Sequence, residues 1–210
     1  SGAIDVQGGG TGSGITMLVQ PSASTANGTA FPIQPVALVR DQQGFPVGGV
    51  SVSAAIASGN GALGWQLTVT TNFLGIATFS GLSLSGTVGS YTLAIAGAGA
   101  SVTTNAIQLT PGAASPGQST ANVPSKGKQD KQTVITVQAR DQSGNALVTG
   151  GSTVGMTVSG KNSAGPLTAT DNGDGSYTVS YTPTRKGNDD IDITLDGVPI
   201  AGSPFTSDVH

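Results

Sequence analysis

Apolar and polar positions alternate at period two along most of this chain. Val50, Val52, Ala54 and Ile56 flank Ser51 and Ser53; later come Ile135, Val137 and Ala139, then Val154, Met156 and Val158, then Tyr177, Val179 and Tyr181, then Ile191, Ile193 and Leu195. A side-chain period of two places each set on one face of a strand. The intervening Thr178, Ser180, Asp192 and Thr194 then face water, as a sheet with one wet face requires. On the same ground Val36 and Leu38 are expected to point inward. Further strands are expected near 15–19, 65–71, 76–80, 90–96 and 102–109, which makes seven in the first half. Turn clusters such as Asp41-Gln42-Gln43-Gly44 and Ser58-Gly59-Asn60-Gly61 separate them.

The pattern occurs twice. Arg40-Asp41-Gln42-Gln43-Gly44 returns as Arg140-Asp141-Gln142-Ser143-Gly144, and Asn72/Asn172 and Gly75/Gly175 keep the same offset of 100 positions. A repeat of that length, rich in Val and Thr and cut by Gly and Asn, predicts two β-sandwiches in tandem. The boundaries read as a flexible Gly-rich tether over 1–14, a first module over 15–110, a Pro/Gly linker over 111–117 and a second module over 118–210. The chain opens Ser-Gly-Ala, so it is expected to be a piece of something longer, and a monomer as such.

Composition supports an all-β reading. Of 210 residues 33 are Gly, only 9% are charged, and Glu is missing altogether, which removes the usual fillers of exposed helical faces. Net charge is −3, too weak a field to make nucleic acid or an anionic membrane the main partner. No apolar run reaches the length of a membrane-spanning helix, so membrane insertion is not expected. Without cysteine there is neither a disulfide framework nor thiol chemistry.

Two stretches carry family resemblances. Asp171-Asn172-Gly173-Asp174-Gly175-Ser176-Tyr177-Thr178-Val179-Ser180-Tyr181-Thr182-Pro183, followed by Ile200-Ala201-Gly202-Ser203-Pro204-Phe205, resembles the filamin-type immunoglobulin repeat over about residues 115–209. Thr70 to Phe79 with Gly89-Ser90-Tyr91-Thr92-Leu93 resembles the bacterial immunoglobulin-like repeats of the invasin and intimin sort. Together they imply two tandem immunoglobulin-like β-sandwiches. The filamin resemblance also implies a way to bind, in which a partner's extended peptide lies beside the third strand and over the fourth. Here those strands fall near 152–158 and 166–170, making Gly155, Met156, Thr157, Val158, Leu167 and Ala169 the candidate partner-binding residues.

Enzymatic chemistry finds little to work with. The sole histidine, His210, is the last residue, where a catalytic base would lack a rigid setting. Asp189, Asp190 and Asp192 cluster, but Asp190 and Asp192 share the wet face of a strand. Asp171-Asn172-Gly173-Asp174-Gly175 has the spacing of a hairpin turn, since a calcium loop wants an oxygen ligand where Gly173 stands and a glutamate further on. Lys126, Lys128 and Lys131 with Asp130 read as a solvated turn. Arg40-Asp41 and Arg140-Asp141 read as an ion pair or turn anchor. Trp65, the single tryptophan, is assigned to packing or an edge, with contact to carbohydrate as a minor option. No catalytic residue, metal site or cofactor is expected. The function expected is a non-catalytic spacer, adhesive or protein-binding segment of a secreted or cell-surface modular protein. The alternatives are an intracellular, cytoskeleton-associated filamin-like scaffold that binds peptides by strand addition, or a carbohydrate-binding accessory module.

Overall fold

The computed structural model describes residues 10–210, and among them every regular element is a strand. The chain divides into two compact units between Thr110 and Pro111. In the first, the strands are β1 (Gly14–Val19), β2 (Ser24–Ala26), β3 (Val36–Arg40), β4 (Ser51–Ser58), β5 (Gly61–Gly64), β6 (Thr68–Thr70), β7 (Ile76–Thr78), β8 (Ser83–Gly86), β9 (Gly89–Gly97), β10 (Ala100–Thr103) and β11 (Ile107–Thr110). One sheet runs β1-β3-β7, the facing sheet β2-β11-β9-β4-β6, and β5 pairs with β8. The second unit has β12 (Thr120–Asn122), β13 (Lys126–Gly127), β14 (Thr133–Gln138), β15 (Val154–Gly160), β16 (Ala164–Thr168), β17 (Thr170–Asp171), β18 (Ser176–Tyr181), β19 (Gly187–Leu195), β20 (Val198–Pro199) and β21 (Phe205–Val209). Its sheets run β12-β14-β18-β17 and β13-β21-β19-β15-β16. The two units therefore share one plan: strand for strand, β12 answers to β1, β13 to β2, β15 to β4 and β19 to β9.

Each sandwich closes over a core set by the period-two pattern. Val52, Ala54, Leu93, Ile95, Ile107 and Leu109 meet Ala37, Val39, Ala77 and Phe79 in the first unit. Ile135, Val137, Val179 and Tyr181 meet Met156, Val158, Ile191 and Ile193 in the second. At about 25 cal/mol for each Å² of apolar surface removed from water, these rows supply most of the driving force for closing the layers. In both units the chain enters in one sheet and then switches to the other, so that β2 lies parallel to β11 and β13 parallel to β21.

Four sequence expectations change. On β3 the core positions are Ala37 and Val39, with Val36 and Leu38 on the opposite face. An all-apolar Val-Ala-Leu-Val run cannot choose its own face, and a one-residue slip inverts it. The strand expected over 102–109 is two: β10 folds back on β9, and Thr104 bridges the gap, its hydroxyl accepting from Leu93 N at 2.9 Å while its own N–H donates to Leu93 O at 2.8 Å. The strand expected over 65–71 shortens to β6, and β5 and β8 form a further pair. His210 is held by its backbone, donating to Gly127 O and accepting from Gln129 N, both at 3.2 Å.

Of the stretch expected as a tether, residues 1–9 lie outside the described ones, while Ser13 N already donates to Arg40 O at 2.8 Å. The stretch expected as a linker runs against the second sandwich: Gly112 N donates to Asp141 Oδ2 at 3.0 Å, and Ser115 N to Arg140 O at 2.7 Å.

Candidate binding surfaces

The repeated Arg-Asp motif builds the same turn twice. Arg40 and Arg140 each donate through Nη1 to the carbonyl of the turn glycine, Gly44 at 2.6 Å and Gly144 at 2.9 Å. The aspartate Oδ1 accepts from the backbone of the next residue but one and of the fourth: Gln43 and Phe45 for Asp41, Ser143 and Asn145 for Asp141. These side chains replace the ladder partners that a turn lacks, so the motif anchors a loop. In the second unit Asn145 Nδ2 also donates to both Asp141 oxygens, at 3.1 and 2.9 Å.

Other aspartates are engaged in the same way. Asp171 accepts from Gly173 N and Gly151 N, each at 2.8 Å, and Asp174 Oδ1 from Ser176 N at 3.0 Å and Ser176 Oγ at 2.6 Å. The Ser176 contacts hold the Asp174 carboxyl below its usual range. Asp190 and Asp192 are exposed, as expected of a wet strand face, whereas their neighbour Asp189 is 0% exposed. Asn162 donates to it from its backbone at 2.8 Å and from Nδ2 at 3.1 and 3.0 Å, and Tyr181 Oη donates at 3.1 Å. Asn162 Oδ1 in turn accepts from Thr184 N and Arg185 N at 2.8 and 2.9 Å. Burial first, and then the adjacent Asp189 carboxylate, push the Tyr181 phenol up to about 12. Beside this network lies a cavity of about 430 Å³ lined by Lys161, Asn162, Ser163, Tyr181 and Arg185 among others.

The expected peptide-binding edge is rearranged. β15, which carries Gly155, Met156, Thr157 and Val158, is flanked on both sides, by β16 (Met156 opposite Leu167) and by β19 (Met156 opposite Ile193). Met156 and Val158 point into the core. A partner strand beside β15 would have to displace β16, so the open edge belongs to β16 itself, with Leu167 half-buried on it. Ala169 follows that strand and donates to Val154 O at 2.9 Å. Gly155 does leave a hollow of about 110 Å³ on the outer face, lined with Thr157, Pro166, Asp192 and Thr194.

The first unit exposes large apolar side chains that the core does not use. Phe45 (67% exposed) and Phe73 (84%) stand on neighbouring turns, for a Cβ added at Gly48 would meet the Phe73 backbone at 3.0 Å. Trp65, 83% exposed, follows β5 with a φ of +73°. An L-residue in that left-handed region costs about 1–2 kcal/mol, which burial of this ring does not offset.

Residues 113–206 match the Filamin/ABP280 repeat. Filamin-C of Rattus norvegicus is 39% identical over 79 residues, which is 38% of this chain and 3% of that protein's length. The Lin-41 filamin domain aligns at 29% identity and a TM-score of 0.39, covering 46% of this chain and 96% of its own. Invasin, a bacterial integrin-binding protein, aligns at 21% identity and a TM-score of 0.42 over 93% of this chain and 38% of its own. The second unit is thus similar to a filamin repeat, and the structural neighbours include bacterial immunoglobulin-like adhesin domains. The chain spans a small fraction of the curated relative it matches.

Proposed function

We propose that these tandem immunoglobulin-like units form a non-catalytic segment of a larger secreted or cell-surface protein, holding binding surfaces at a distance under tension. The observation that carries this reading is the pairing of the second strand with the last in each sandwich, β2 with β11 and β13 with β21. Gln108 lies opposite Ser24, and Lys126 opposite Asp208, both in parallel ladders. When two parallel strands are pulled from opposite ends, their hydrogen bonds load together in shear. The bonds include Gln108 N to Ala23 O at 2.8 Å and Asn27 N to Thr110 O at 2.9 Å in the first unit, and Asp208 N to Ser125 O at 2.9 Å in the second. The aspartates support the same reading, since Asp41, Asp141, Asp171 and Asp189 are acceptors for fixed donors, an arrangement that braces loops.

A second reading is favoured by the filamin-repeat match over residues 113–206. It makes the chain an intracellular, cytoskeleton-associated scaffold whose second unit captures an extended peptide along the free edge of β16. Labelling intact source cells with an antibody to the chain separates the two. Signal on intact cells is the outcome for the surface segment; signal only after permeabilisation contradicts it and leaves the scaffold. Hydrolysis of ester, peptide or glycoside substrates that disappears with one aspartate variant would contradict both.

A further inference from the structure

The two units act as controls for each other, and at one position they disagree. Leu67 accepts from Ala54 N on β4 at 2.8 Å, and Leu167 lies opposite Met156, the matching residue of β15. Two residues earlier the fold calls for a left-handed backbone in both units. The second unit meets that demand with Gly165 at φ +110°, the residue type suited to it, while the first unit places its only tryptophan there at φ +73°. Among the described residues the other non-glycine positions with positive φ, Ala98, Asp130 and Asp196, are small or acidic, and Ala98 and Asp196 each precede a glycine in a hairpin turn. Trp65 has neither excuse.

Its surroundings suit a flat contact. A Cβ added at Gly81 would fall 2.5 Å from Trp65 Cδ1 and 2.8 Å from Nε1, so the pyrrole edge of the indole rests on a bare stretch of backbone that only glycine leaves open. The remainder of the ring faces solvent. Exposed Gln66 and Ser80 stand beside it in sequence along the two segments that meet there. Among residues 10–110 the charged side chains are Arg40 and Asp41, both tied into their own turn. A ligand here meets an electron-rich ring face, hydroxyl and amide groups, and no charge. We infer that Trp65 is a binding platform for a neutral carbohydrate, one pyranose face stacking on the indole and its hydroxyl groups reaching the polar rim. The inference rests on the first unit alone and is independent of the mechanical reading above.

Because Trp65 is the sole tryptophan, its fluorescence reports on this position directly. The full chain is titrated to millimolar concentration with the neutral hexasaccharides cellohexaose, chitohexaose and mannohexaose. Saturation-transfer NMR on the same mixtures serves the variants Trp65→Gly, Trp65→Ala and Trp65→Tyr. The expected result is a blue shift with at least one sugar, weakened but retained in Trp65→Tyr. In Trp65→Gly affinity falls at least about tenfold, or ~1.4 kcal/mol, with a melting temperature equal to or above that of the parent. No shift with any hexasaccharide overturns the proposal. So does unchanged sugar binding by Trp65→Gly, a shift produced only by a proline-rich peptide, or a melting temperature lowered by the glycine that would make the ring a structural element.

Discussion

Asp189 shows how a single residue can carry more of a fold than its sequence neighbours suggest. Fully buried, it gathers the Asn162 backbone, the Asn162 amide and the Tyr181 hydroxyl on one carboxylate. Asp189→Ala leaves the Asn162 N–H and the Tyr181 hydroxyl without this acceptor, while Asn162 Nδ2 keeps Arg185 O at 2.8 Å; at about 1–3 kcal/mol for each buried donor left unpaired, the second unit should lose ~2 kcal/mol or more in urea denaturation while the first is unmoved. Tyr181 adds a pH signature. Its phenol ionises near the ordinary value of about 10 in the unfolded chain but is pushed up to about 12 in the folded one. Between those values the unfolded state binds fewer protons, so stability of the second unit should fall as pH rises through that window and stay flat on this account below it. Tyr181→Phe should be less stable at neutral pH and lose the alkaline slope, as read from urea midpoints at neutral and alkaline pH. Among three acids in four positions, Asp190 and Asp192 read as wet and Asp189 was given no face of its own. The period of two did hold the signal: Asp189 shares the parity of Ile191 and Ile193, and parity puts it inside.

At the scale of strands, the alternating pattern located most elements and failed where composition was uniform. β14, β15, β18 and β19 were legible because polar residues interrupt the apolar ones. β3 was inverted because four apolar residues in succession carry no parity, although the repeat offers a remedy: Ala37 and Val39 fall 100 positions before Val137 and Ala139, whose strand is clearly patterned. Strand pairing was beyond reach of the pattern, and so Gly155 to Val158 were expected at an edge that β16 occupies. The difference is measurable. Gly155→Pro, in an interior strand with a neighbour on each side, should cost the second unit about 3 kcal/mol or more and abolish every function that needs it folded. Thr168→Lys on the open edge of β16 should leave the unfolding free energy from urea denaturation within about 0.5 kcal/mol of the parent while blocking strand addition to that edge. Retention of peptide capture by a folded Thr168→Lys protein would argue against that edge.

For the molecule as a whole, the repeat itself was the clearest statement in the sequence, since Arg-Asp-Gln-x-Gly builds the same anchored turn in both halves. What the sequence withheld was the parallel closure of each sandwich, which depends on two short strands, β2 and β13, of three and two residues. So few residues give no periodic signal, yet they position the bonds that resist extension. The most direct test is single-molecule force extension of the full chain held by its ends. Two separate unfolding steps are expected, each releasing roughly 300 Å of chain at about 3.3–3.6 Å per residue, and each at a force well above that of the same unit pulled through attachment points that peel its strands one bond at a time. A single combined step, or smooth lengthening with no resistance, would contradict the account of two self-contained units closed by shear-loaded strands.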